Sequence, residues 1–181
     1  MGDSYRKVAF YIDGSNFYFS IKKTFNCKVN IEKFCRRLTE DNNLVKINYY
    51  ISPVNRLTNQ SVYIEQQKFL AILNKIEKLS ITLGRLERRK RKGEIHYVEK
   101  ANDVNLALDL VLDAQSEVYD IAYLLSNDGD FSGAVSAAIN RFKKKVIYVG
   151  VGSNKNISYH LKNVASRTIR IDYDFVNEVK L

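Results

Sequence analysis

Four aspartates stand where an acid can do chemistry. Asp13 ends the apolar run Val8 to Ile12, Asp128 and Asp130 follow the run Ile121 to Ser126, and Asp103 opens a stretch of helical periodicity. A short apolar run halted by Asp-Gly-Ser-Asn reads as a buried strand stopping at a turn. Ligands of an open parallel sheet gather outside the carboxyl ends of its strands, so residues just after a strand carry extra functional weight. Asp13 and Asp128 are therefore expected on one edge, and Asp103 within metal-bridging reach of both if its helix starts there. Clustered carboxylates without a basic partner repel one another. Mg²⁺ or Mn²⁺, a hard cation held by carboxylate oxygens and waters, cures that repulsion and lowers the pKa of a bound water for attack on phosphorus. The chemistry such a group points to is metal-assisted phosphodiester hydrolysis.

Aspartate is also an ordinary turn and helix-cap residue, so Asp103 alone could simply cap its helix. Asp109 and Asp113, one turn apart, fit the solvated stripe of an amphipathic helix whose Val104, Ala107, Leu108 and Val111 pack inward. For Asp113 that structural role is preferred. What outweighs it elsewhere is the coincidence of several acids on one expected rim.

The elements that must position them follow from periodicity and punctuation. Ser15 or Asn16 is expected to cap the first helix, and a second spans Ile31 to Glu40 with Phe34, Cys35 and Leu38 facing inward. Val45 to Ser52 reads as a strand stopped by Pro53, and Tyr63 to Leu79 as a helix. Ile81 to Glu87 and Ile95 to Glu99 are β-prone and flank Arg88-Arg89-Lys90-Arg91-Lys92-Gly93, which predicts a basic β-hairpin with its tip at Gly93. Then come a helix over Asp103 to Gln115, a strand over Ile121 to Ser126, a helix over Phe131 to Phe142 and a strand over Val146 to Val151. Ile157 to Ala165 and Thr168 to Ile171 add a last helix and strand. Such alternation implies an α/β fold with a central, mostly parallel sheet and right-handed crossovers. No linker-like stretch interrupts residues 1 to 181, so one domain is expected.

Three motifs in order carry a family resemblance. FYIDGSNFY (Phe10 to Tyr18), KANDVNLALDLVLDA (Lys100 to Ala114) and LLSNDGDFSGAV (Leu124 to Val135) are similar to the acidic motifs of NYN-domain proteins of the LabA-like group. Ser158, Leu161 and Ala165 look like that family's last helix. The resemblance implies a three-layer PIN-like fold with helices on both sheet faces, ribonuclease activity with Mg²⁺ or Mn²⁺, and RNA as substrate. It carries over Asp13, Asp103, Asp128 and Asp130 as metal residues, Asp109 as an acidic-site residue and Asn16 as one that orients the site. Ala101 and Asn127 stand where the family pattern has glycine; the first swap hints at altered backbone approach, and the second suits a turn.

The charge agrees with a polyanionic partner: 29 Lys plus Arg against 20 Asp plus Glu give +9. Arg88, Arg89, Lys90, Arg91 and Lys92, with Arg141, Lys143 and Lys144 around Phe142, are expected to contact the backbone of single-stranded or structured RNA rather than its bases. The competing view is a charged, merely soluble face. Of the aromatic residues around the first acidic turn, Tyr18 is singled out for base stacking and the others mainly for core packing. His96 and His160 lack metal-ligand spacing. Cys27 and Cys35 are too few for a disulfide framework, the start is polar, and no run reaches membrane-spanning length, which fits a reduced cytoplasmic setting. Self-pairing into a homodimer is left open. Among rivals, a haloacid-dehalogenase-type phosphatase needs Asp-x-Asp where Tyr11-Ile12-Asp13 has one acid. The GVGSNK segment lacks the third glycine of a dinucleotide loop. The rival from another class is a non-catalytic RNA-binding or regulatory interaction module that keeps the fold.

Overall fold

Val8 to Ile12 alternate between two cores, which is why the run is apolar throughout. The computed structural model describes residues 5–56, 59–91, 94–152 and 156–181. Strand β1 (Lys7–Asp13) sends Val8, Phe10 and Ile12 into one core, with helices α1 (Gly14–Phe25), α2 (Ile31–Thr39) and α3 (Gln60–Leu73). Ala9 and Tyr11 enter the other core, with α4 (Asn102–Gln115), α5 (Ser132–Asn140) and α6 (Tyr159–Val164). Helices thus cover both faces of the sheet, as a strand buried on both sides requires.

The sheet has six strands in the order β3-β2-β1-β6-β7-β8, where β2 is Asn43–Ile51, β3 Leu79–Leu83, β6 Ile121–Leu125, β7 Lys145–Val151 and β8 Arg167–Ile171. Every pairing within it is parallel. The expected mostly parallel sheet is therefore parallel throughout. Strands are added outward from β1 first on one side and then on the other, so the strand order reverses beside β1 and β6, the position where open α/β sheets form their binding crevice. No helix among the described residues is long and apolar enough to cross a membrane.

Four expectations need correction. Helix α3 ends at Leu73, and Lys78, with φ +65°, turns the chain so that Leu79 starts β3 and pairs beside Ile47. Ile64 and Ile72, both within α3, are exposed instead of facing the core. The β-prone Ile81 to Glu87 splits at Gly84: its first half joins β3, and its second half opens a separate antiparallel hairpin of β4 (Arg85–Arg91) and β5 (Glu94–Lys100). Arg88 to Arg91 thus belong to a strand rather than to its connection; Lys92 and the Gly93 tip lie outside the described residues, as do the side chains of Arg89 and Arg91. The inward stripe of α4 is Leu106, Leu110 and Ala114, while Val104 and Leu108 face out. Finally, a helix not anticipated, α7 (Tyr173–Val179), capped by Asp172, seals the α2 side of the first core with Val176 and Val179.

Ala101 precedes α4 with φ +77° and ψ −12°, a left-handed conformation that a Cβ makes unfavourable by about 1 kcal/mol. This explains why the resembling pattern carries glycine there. Ala101→Gly is expected to raise the melting temperature by about 2–4 °C, measured by thermal unfolding. A lower melting temperature would contradict the strain.

Candidate active site

Asp13 ends β1 and caps α1: its Oδ1 accepts from the N–H of Asn16 at 3.1 Å. Neither Ser15 nor Asn16 is the cap, because the strand's last carboxylate already reaches the free N–H groups. The next residue must be small. A Cβ on Gly14 would stand 2.7 Å from the Tyr50 carbonyl oxygen, so only glycine lets the helix leave this close to β2.

The other oxygen of Asp13 accepts from Ser126 Oγ at 3.0 Å, and the same hydroxyl oxygen accepts from the N–H of Asp128 at 3.1 Å. Ser126 therefore ties the ends of β1 and β6 together. Asp128 Oδ1 accepts from the Asp130 N–H at 2.9 Å and caps a short 3₁₀ turn over Gly129–Phe131. Asn16 Oδ1 accepts from the N–H of Asn127 at 2.9 Å, a second tie between the two turns. Asn127 does more than tolerate a turn: its side chain accepts from Tyr148 Oη at 2.8 Å and donates to the Val151 carbonyl at 2.8 Å. Ser126 and Tyr148 carry no signal in the sequence, and Asn127 reads there only as a turn residue, since their roles depend on partners distant in the chain.

Burial raises the Asp13 pKa to about 6, the negative charges of Asp103 and Asp128 push it the same way, and the donors on Asn16 and Ser126 oppose them. Asp103 is raised too, by partial burial and then by Asp128 and Asp130. Asp13, Asp103, Asp128 and Asp130 thus form one mutually repelling set, and among the described residues no Lys or Arg forms an ion pair with any of them. They do not, however, form a ready-made metal cage. Among the described residues no group of three or more His, Cys, Asp or Glu is placed to hold a metal ion by itself. Both oxygens of Asp13 and Oδ1 of Asp128 already accept hydrogen bonds from N–H and O–H donors. What remains is an open set of hard oxygen donors, the kind that suits Mg²⁺, which keeps several waters and takes few protein ligands.

Asp109 is set apart from this group. It lies six residues past Asp103 on α4, about 9 Å along the axis, and accepts from Tyr50 Oη at 2.7 Å. Asp113 is no solvated stripe residue: it accepts from the buried Tyr11 hydroxyl at 2.7 Å and pairs with Lys46 Nζ at 2.7 Å. Buried hydroxyls need such acceptors.

The basic candidates divide. The hairpin leaves from the carboxyl edge, because β3 ends at Leu83 and β5 leads through Lys100 to Asp103. Arg141, Lys143 and Lys144 sit in the turn between α5 and β7, at the amino edge, away from the acids. Lys144 is buried and ion-paired with Glu117, and Lys143 Nζ donates to the Asn140 carbonyl. This cluster therefore does not share the acids' edge, because in a parallel sheet the turn entering a strand and the turn leaving it lie at opposite edges. Tyr18 is half-buried at an apolar cavity of about 240 Å³ between α1 and α3, which Gly14, Phe17, Tyr49 and Phe69 also line. Lys22 Nζ lies 5.8 Å from its ring centroid. Tyr11 and Phe17 belong to the core, whereas Phe19 is exposed.

Comparison with known proteins bears on the family and the fold. The NYN domain family matches residues 7–172. A Vibrio parahaemolyticus protein of unknown function, VPA0982, superposes with a TM-score of 0.76 at 24% identity, covering 100% of this chain and 99% of that one. At that identity the likeness speaks for the fold alone. A PLP-bound protein of Clostridium difficile described as an aminotransferase aligns over 75% of this chain and 34% of its own at 10% identity; its TM-score of 0.21 carries no argument. No curated protein matches the chain.

Proposed function

Since the chain belongs to the NYN domain family, whose fold is that of PIN-like nucleases, we propose that it is a metal-dependent ribonuclease, one domain over residues 1–181, hydrolysing RNA phosphodiester bonds where β1 and β6 end. The observation that carries this is the set Asp13, Asp103, Asp128 and Asp130, carboxylates from three separate parts of the chain: burial raises Asp13 and Asp103, the charges of Asp103 and Asp128 add to the lift of Asp13 and those of Asp128 and Asp130 to the lift of Asp103, and no cation among the described residues is ion-paired with them. Asp13, Asp103, Asp128 and Asp130 would hold Mg²⁺ or Mn²⁺, in part through waters. Such an ion supplies Lewis acidity at a phosphate oxygen and makes water a better nucleophile near neutral pH.

The chain's own residues supply position. Ser126, donating to Asp13 and accepting from the Asp128 N–H, holds the two carboxylate-bearing turns at fixed separation. Asn16 has the orienting role, accepting from the Asn127 N–H. Asp109 acts at one remove, fixing Tyr50 beneath the start of α1. Arg88 to Lys92 would bind the RNA backbone, whose negative charge the acids would otherwise repel. The motif resemblances speak for a LabA-like member, and the excess of positive charge for RNA as partner.

A second function is favoured by one observation, the lack of a ready-made three-ligand cage among the described residues: a non-catalytic RNA-binding or regulatory module. Purified protein incubated with structured and unstructured RNAs in Mn²⁺, Mg²⁺ or chelator separates the two. The expected result is cleavage with either ion, none with chelator, and a loss of about a thousandfold in Asp128→Asn. Cleavage surviving that substitution refutes the site, and binding without cleavage in any ion makes the module the function.

A further inference from the structure

The β4–β5 hairpin hydrogen-bonds to no strand of the six-stranded sheet, and none of its described side chains enters either core. It is nevertheless anchored beside the acids. A Cβ on Gly84 would stand 2.8 Å from the Lys100 carbonyl oxygen and against the Asn102 side chain, so the root of the hairpin is packed on the start of α4. Residues directly paired across an antiparallel ribbon share a face, as do residues two apart on one strand. Arg88 pairs with Tyr97, and Lys90 stands two residues further along β4. One face therefore presents a tyrosine ring with a cation directly opposite and a second beside it. Arg88 and Lys90 are exposed, and Tyr97 is 38% exposed.

Guanidinium and ammonium groups bind phosphate whatever the strand's pairing, but a ring offered face-on can take only a base whose own face is free. In a duplex the bases cover one another; in an unpaired strand they are available. Tyr97 is three residues from Lys100, so about 10 Å from the root of the hairpin, and Asp103 follows Lys100 by three more residues. We propose that Tyr97 is a base-stacking platform for single-stranded RNA, with Arg88 and Lys90 holding the phosphates on either side. The inference rests on the ribonuclease function and narrows its substrate to an unpaired strand.

The test uses the full chain in chelator, with a fluorescent unstructured RNA oligonucleotide and a blunt RNA duplex of equal length, titrated over a salt series. Tyr97→Ala should weaken strand binding about tenfold with its salt slope unchanged, while duplex binding moves less than about twofold. Tyr97→Phe should bind like the parent, because the ring and not the hydroxyl stacks. Arg88→Ala with Lys90→Ala should lower the strand's salt slope by about 1.4. Unchanged strand binding by Tyr97→Ala overturns the proposal, as does equal loss on strand and duplex, or loss in Tyr97→Phe as large as in Tyr97→Ala. Cleavage by the parent in Mn²⁺, scored separately, keeps the two ideas apart: if the parent cleaves and Tyr97→Ala binds normally, only the platform fails. If the parent never cleaves but Tyr97→Ala loses strand binding selectively, only the nuclease function fails.

Discussion

Asp13→Asn is expected to lose cleavage about a thousandfold and, at the same time, to melt at a higher temperature than the parent. Both effects come from one cause. Burial lifts the Asp13 pKa from 3.8 to about 6, with Asp103 and Asp128 adding to the lift. The folded state therefore binds more protons than the unfolded chain between those values, and stability falls as pH rises through that window. Below about pH 4 the group is neutral in both states and no penalty exists; above about pH 6 the full penalty, about 3 kcal/mol at most, is present. Asparagine removes it while still accepting from the Asn16 N–H. Thermal unfolding of both proteins from about pH 4 to 8 should show no gap at the acid end, one that opens toward pH 6, and a constant gap beyond. Added Mn²⁺ should raise the melting temperature of the parent more than that of the variant, which keeps Asp103, Asp128 and Asp130 but lacks one of the four carboxylates that would hold the ion. Cleavage by the parent should decline toward acid pH, where protons compete with the metal ion for Asp13. An asparagine variant less stable than the parent at about pH 7.5 would mean that the buried charge is compensated, and the site would need another explanation.

Asn127→Ala should be the most destabilising single change near the site, by about 3 kcal/mol. The amide accepts from Tyr148 Oη and donates to the Val151 carbonyl, and the Tyr148 hydroxyl in turn accepts from the Ser158 N–H at 3.0 Å. Truncation leaves the hydroxyl of fully buried Tyr148 without its acceptor and the Val151 carbonyl without its donor, and buried groups without partners are costly. For a chain of this length the melting temperature should drop by about 10 °C. Asn127→Gly should fall as far, even though the family pattern carries glycine at this position, because glycine restores none of those bonds. Cleavage should fall as well, since the turn bearing Asp128 would lose a support. A drop of less than about 2 °C in either variant would show that water replaces the amide.

The positions of the acids were readable because each follows an apolar run or opens a periodic one. Apolar runs ending in Asp-Gly or Ser-Asn-Asp announce strand and turn together, and this is enough to locate Asp13 and Asp128 at strand ends. Charge density announced the hairpin. Single-residue signals were less informative: nothing local in Lys78 distinguishes a left-handed turn from another turn of helix, and the apolar spacing of Ile64, Ile72 and Ile76 continued toward it. Asp109 and Asp113 looked alike from their spacing, and both are held by tyrosine hydroxyls because Tyr50 and Tyr11 come from neighbouring strands.

By itself the sequence determined the order of most strands and helices, the parallel character of the sheet and which edge receives the acids, since these depend on periodicity and on the right-handed crossover. Only the tertiary structure decided how the carboxylates face one another, that Asn127 and Ser126 clamp the two turns, and that the Arg141 to Lys144 cluster lies on the far edge. Hydrogen bonds and charge interactions act over a few ångströms between residues far apart in the chain, Asp13 and Ser126 among them, and no local pattern encodes such distances.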